Sequence, residues 1–130
     1  MAIVERRGGV GVNVTLILLL AALLFALRPG MARAGDKELV MFSNPSCIYC
    51  QLFNREVRPN YRWSQLGRKA PLKVVNINRH GTGGYPLRRG ITVTPTFVMF
   101  KRGREVARIP GYPGKKNFYK MVGEILKRVK

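Results

Sequence analysis

Acid is what this sequence has least of. Six Asp and Glu face 24 Lys and Arg, a formal net charge of +18 at neutral pH. Such a balance favours acidic proteins, anionic membrane surfaces or nucleic acid as partners, although a basic solvated surface without a dedicated ligand is the commoner case. Cysteine is nearly as scarce. There are two, Cys47 and Cys50, too few for a disulfide scaffold. The one histidine, His80, stands in a glycine-rich stretch, where an exposed, non-catalytic side chain is expected. Two cysteines and one histidine fall short of the four ligands of a structural zinc site, so no metal is expected. Repeats and low-complexity segments are lacking, and 130 residues suit one domain.

One long apolar run is present. Arg6-Arg7 precede it, Val10 to Leu27 is apolar apart from glycine, Asn13 and Thr15, and Met31-Ala32-Arg33-Ala34 follows. A basic start, an apolar middle and an Ala-x-Ala site make residues 1–34 a signal peptide, cut after Ala34. Its tightest part, Leu16 to Leu27, is shorter than the ~20 apolar residues of a membrane span. Counted from Val10, the same run could remain as an uncleaved membrane anchor. Either reading exports residues 35–130 to an oxidising compartment, the periplasm. Arg6, Arg7, Arg28, Arg33 and Glu5 fall before that boundary, so the domain keeps 20 basic and 5 acidic side chains, a net +15.

Within 35–130 the pattern is β-α-β, a connector, then β-β-α. Strands are expected at Glu38–Phe42, Leu72–Ile77, Thr96–Phe100 and Glu105–Ile109, with Leu72 and Val74 on a buried face. A helix starts near Cys47, capped by Asn44 or Ser46, and Pro59 kinks or ends it before a second piece from Asn60 to Gly67. His80 to Gly90 reads as loop, with at most a short helix at Tyr85–Arg89. The last helix covers Lys116–Lys127 and turns Phe118, Met121, Val122, Ile125 and Leu126 inward. A right-handed crossover makes the first two strands parallel, and the last two form an antiparallel hairpin.

Both cysteines sit in Pro45-Ser46-Cys47-Ile48-Tyr49-Cys50, where the first strand gives way to a helix. A helix N-terminus offers free N–H groups and the positive end of its dipole, which stabilise a thiolate on Cys47. Cys50, one turn further in, can then attack a mixed disulfide and release the partner. A purely structural bridge across two residues closes too small a loop to stabilise much. Tyr49 either meets a partner beside the thiolate or packs on the helix. A second signal is Val93-Thr94-Pro95-Thr96, a proline before a buried strand and a candidate cis peptide bond.

Cys47-x-x-Cys50 after the first strand, Thr94-Pro95-Thr96 before the third and Gly111 after the fourth resemble the thioredoxin superfamily. A narrower resemblance, over most of residues 38–128, is to SoxS-type thioredoxin-like proteins of bacterial sulfur-oxidation clusters. It rests on Met41-Phe42, the Cys47 hexapeptide, Ala70-Pro71-Leu72, Thr94-Pro95-Thr96-Phe97-Val98 and Gly111-Tyr112-Pro113-Gly114. The resemblance implies a thioredoxin fold with a central mixed four-stranded sheet and flanking helices. It implies Cys47 as nucleophile, Cys50 as resolving thiol, Pro95 as a cis proline and Thr94 as a partner-binding neighbour. It also implies a reductant of cysteine adducts on a sulfur-carrier protein, supplied with electrons by a membrane thiol transporter, with no cofactor beyond a Cys47–Cys50 disulfide. Related reductases serve cytochrome maturation or disulfide isomerisation, so an isomerase or oxidase is the alternative.

The sequence departs from thioredoxin in three ways. Thioredoxin carries a buried acid six residues before its first cysteine, and here that residue is Met41; Glu38 is the nearest acid upstream. The inter-cysteine pair is Ile48-Tyr49 rather than Gly-Pro, and the domain is far more basic. A nucleic-acid-binding regulator would suit the charge, but export and the lack of a DNA-reading motif oppose it. A membrane-anchored scaffold with incidental cysteines is the third class.

Overall fold

Leu39-Val40-Met41-Phe42 and Phe97-Val98-Met99-Phe100 are unbroken apolar runs, the pattern of strands buried on both faces. In a computed structural model, which describes residues 13–26 and 35–130, they are the central pair of a four-stranded sheet. Strand β1 (Lys37–Ser43) is parallel to β2 (Leu72–Asn76) and antiparallel to β3 (Thr96–Lys101). Strand β4 (Arg104–Pro110) is antiparallel to β3, giving the order β2-β1-β3-β4. This is the mixed thioredoxin sheet expected from the sequence.

Alternation along the central strands builds two cores. Leu39, Met41, Phe97 and Met99 face one way. They pack on α2 (Ile48–Glu56), α3 (Arg58–Tyr61) and the last helix through Cys50, Phe53, Tyr61, Phe118 and Val122. Phe53, Phe97 and Phe118 form an aromatic triangle with centroids 4.7 to 5.0 Å apart. Each such ring is worth about 1.5–3 kcal/mol when fully buried. Val40, Phe42, Val98 and Phe100 face the other way and are roofed by Ile77, Tyr85, Leu87 and Ile91.

Several local expectations need correction. The piece after Pro59 is split into α3 and α4 (Gln65–Lys69), because Ser64 caps a new helix by accepting from Gly67 N–H at 2.9 Å. The connector has its helical turn at α5 (Ile77–His80), not at Tyr85–Arg89. There Asn76 Oδ1 caps the turn, while Tyr85 and Leu87 are used for packing. Val74 is 38% exposed and Val75 is the buried residue of β2. The strand is a sheet edge, and the helices over that face reach Leu72 but leave Val74 bordering an open groove. In α6 (Lys115–Arg128) the buried stripe is Phe118, Val122 and Ile125; Met121 turns out beyond it. His80 is exposed, as expected.

In the N-terminal segment α1 (Val14–Ala26) is a helix of 13 residues, apolar apart from Thr15. Among the described residues no helix is long and apolar enough to cross a membrane. The expected cleavage site at Ala34 and the flanks of α1, residues 1–12 and 27–34, lie outside the described residues.

Candidate active site

The turn that presents the cysteines is fixed by its own polar groups. Asn44 Oδ1 accepts from Ser46 N–H at 2.9 Å, and Cys47 N–H donates to Asn44 O at 3.0 Å. Asn44 Oδ1 also accepts from Asn78 Nδ2 at 3.3 Å, which ties the turn to the connector. With that carboxamide engaged, neither Asn44 nor Ser46 caps α2. The N-cap is Cys47 itself, whose sulfur accepts the Cys50 N–H at 3.2 Å. The free N–H groups that open a helix are thereby aimed at the first cysteine.

From the other side the Cys47 thiol donates to Thr94 O at 3.1 Å. The Thr94–Pro95 peptide is cis, as the sequence suggested. Pro95 is buried, and its carbonyl accepts from Gly111 N–H at 2.7 Å, so the loop after β4 braces it. Thr96 Oγ1 donates to Val93 O at 2.7 Å and braces the other flank. Cys47, Cys50, Thr94 and Pro95 therefore meet at one place. Tyr49 gives the Cys47 sulfur a backbone N–H, while its side chain is 58% exposed beside an Ile48 that is 71% exposed.

Both cysteines are free thiols, and their surroundings drive them apart. Partial burial pushes the Cys47 thiol up, but hydrogen bonds from Cys50, from the Thr94 side chain and from the Cys50 and Tyr49 N–H groups outweigh it. The result lies below the ordinary thiol value. Cys50 is 1% exposed, and burial pushes it up, with the hydrogen bond and charge of Cys47 adding to the rise. The Asn44 N–H and the Ser43 side chain pull it back in part. Cys47 is the half-exposed sulfur readied as thiolate; Cys50 is a buried thiol held in reserve.

Met41 is fully buried, so the site has no carboxylate where thioredoxin has one. Glu38 is at the far end of β1, near Tyr85. The buried acid Glu105 is committed to Arg108, at 2.7 and 2.9 Å, and to the Arg88 N–H at 2.8 Å. Besides the Asn44 N–H, the polar group that favours a Cys50 thiolate is the side chain of Ser43 at the end of β1. Its only mark in the sequence is a serine directly after the apolar run Leu39-Val40-Met41-Phe42.

A family model for the thioredoxin-like domain matches residues 31–126. The chain belongs to the thioredoxin-like family. Among solved structures it is similar to the reduced periplasmic thioredoxin SoxS of Paracoccus pantotrophus, at 31% identity and a TM-score of 0.63. That match covers 72% of this chain and 99% of the other. It shares the fold of mitochondrial thioredoxin 3 from Saccharomyces cerevisiae (18% identity, 70% and 80% covered, TM-score 0.53). Thioredoxin of Malassezia sympodialis is as distant (19% identity, 69% and 76% covered, TM-score 0.50). None of the curated proteins compared matches the chain. As a thioredoxin-like protein it is a thiol–disulfide oxidoreductase, a class that acts on protein disulfides.

Proposed function

We propose that this thioredoxin-like protein is an exported reductant that uses Cys47 and Cys50 to reduce a disulfide or mixed disulfide on a partner protein. The observation that carries the reading is the asymmetry of the two sulfurs. Cys47 is half-exposed at a helix N-terminus with its thiol held below the ordinary value, while Cys50 is buried and held above it.

The Cys47 thiolate attacks one sulfur of the partner disulfide, forming an intermolecular S–S bond and expelling a partner thiolate. Cys50 then gives up its proton and attacks the Cys47 sulfur, and the second partner sulfur leaves as thiolate. Two electrons pass to the partner, the protein keeps a Cys47–Cys50 disulfide, and protons return to the released thiols. No metal or prosthetic group takes part in these steps. A thiol donor must then return two electrons, and a membrane thiol transporter fits an exported protein. Thr94 and Pro95 form the wall against which the partner chain lies, and the exposed rings and chains of Tyr49 and Ile48 rim the nucleophile.

Likeness to a periplasmic thioredoxin, together with the signal or anchor pattern of residues 1–34, supports a periplasmic site of action. The resemblance to sulfur-oxidation proteins makes an acidic sulfur-carrier protein the first partner to test, and the net +15 of the domain suits it. Trapping is the direct experiment. Cys50→Ser should accumulate a covalent complex with its partner that a small dithiol reverses, and Cys47→Ser should give none. A Cys50→Ser protein that traps nothing under turnover would refute the exchange reading. A trapped partner that carries no sulfur-transfer cysteine would refute the narrower one.

A further inference from the structure

The pole of the domain opposite Cys47 is built of cations. Lys37 opens β1, and the register sets it opposite Lys101 at the end of β3, which lies opposite Arg104 at the start of β4. At the same end a groove of 590 Å³ is lined by Lys37, Arg68, Lys69, Lys127 and Lys130, over a floor that includes Leu66, Gly123 and Leu126. Lys101 Nζ donates to Lys130 O and joins the hairpin to the end of α6. Asp36 answers only part of this charge, meeting Lys37 at 2.8 Å and Arg102 at 3.8 Å. Among the described residues no carboxylate pairs with Arg68, Lys69, Lys127 or Lys130.

We infer that this pole is a docking surface for anionic phospholipid headgroups and holds the dithiol facing away from the membrane. Three observations select a lipid surface as occupant. The cations come from β1, α4, α6 and Lys130 beyond it and surround aliphatic floor, so lysine stems can lie along apolar surface with their ammonium groups outermost. Gly35, where the described domain begins, itself borders the groove, and the apolar stretch 14–26 lies a short way before it in sequence. The Cys47 turn follows the opposite end of β1, so a membrane seated here leaves the nucleophile in water. The groove and its cations lie wholly within residues 35–130, so the surface persists if residues 1–34 are removed, and the inference does not rest on the redox reading.

Residues 34–130 form one compact unit that contains the whole sheet and both cores, so the domain is tested by itself. The test is partition of this domain onto sedimented vesicles. One set is phosphatidylcholine with phosphatidylglycerol and the other phosphatidylcholine alone. Each basic residue near an anionic surface strengthens binding about fivefold. Wild type should bind the anionic set and not the neutral one. Lys69→Glu/Lys127→Glu/Lys130→Glu should weaken binding at least about 100-fold, with solution thiol exchange retained as proof of folding. Arg79→Glu/Lys115→Glu/Lys116→Glu, an equal charge change at the other end, should weaken it less than about tenfold. A water-soluble maleimide should label Cys47 of bound protein at its solution rate. Equal losses for the two triples, binding to neutral vesicles, no binding by wild type, or shielding of Cys47 would each overturn the inference.

Discussion

Ser43→Ala separates the two halves of the exchange reaction. Ser43 is buried, and a hydrogen bond from its side chain favours the Cys50 thiolate over the thiol, at a site where Met41 offers no carboxylate. The bond matters only when Cys50 becomes a thiolate, which is the resolving step. A hydrogen bond to a charged group is worth about 1.5–3 kcal/mol. The lower figure corresponds to about one pKa unit, and hence to about a tenfold loss of Cys50 thiolate at neutral pH. The assay is reaction of the reduced protein with an aromatic disulfide whose thiol is coloured. Attack by Cys47 releases the first thiol, and resolution by Cys50 releases the second. In Ser43→Ala the first phase should keep its rate and the second should slow about tenfold. The deficit should shrink as pH rises towards the Cys50 value, because the thiolate then forms without help. Equal slowing of both phases, or no slowing of the second, would refute the assignment of Ser43 to Cys50.

Other outcomes follow from the scaffold. The Arg108 guanidinium, then the Arg88 N–H, holds the Glu105 carboxyl below its ordinary value despite burial. A depressed carboxyl stabilises the fold above its unfolded value near 4.5 and loses that contribution as pH falls through the folded value. Glu105→Gln should therefore cost about 3 kcal/mol at pH 7 in denaturant melts, and the gap to wild type should close in acid. A gap independent of pH would contradict the pairing. Gly67→Ala would set a Cβ 1.9 Å from Tyr61 O, so it should destabilise the domain by about 1–3 kcal/mol in the same melts; an unchanged midpoint would contradict the close approach.

Much of the fold was legible because its signals are local. The apolar runs of β1 and β3, Pro95 and the Cys47 turn announce themselves over a few residues, and their order gives the topology. Less was legible where a partner distant in sequence decides. Whether Val74 or Val75 is buried depends on how far α3 and α4 extend over an edge strand. Asn44 reads as a helix cap until Asn78 and Ser46 claim its carboxamide, leaving the cap to the Cys47 sulfur. The roles of Arg108 and Glu105 are likewise set by residues distant in sequence. In the fold they clamp the connector to β4, since Arg108 also donates to the carbonyls of Arg89 and Gly90. Ser43 was hidden for the same reason: nothing near it in sequence shows that its side chain acts on Cys50.

The central claim is that Cys47 is the activated sulfur and Cys50 the reserve. Alkylation of the reduced protein by iodoacetamide across pH, with the modified cysteine identified by mass spectrometry, tests it most directly. Cys47 should react first, with a midpoint below the ordinary thiol value of 9.0, and Cys50 should stay unmodified until above it. Equal reactivity of the two cysteines, or a Cys47 midpoint at or above the ordinary value, would contradict it.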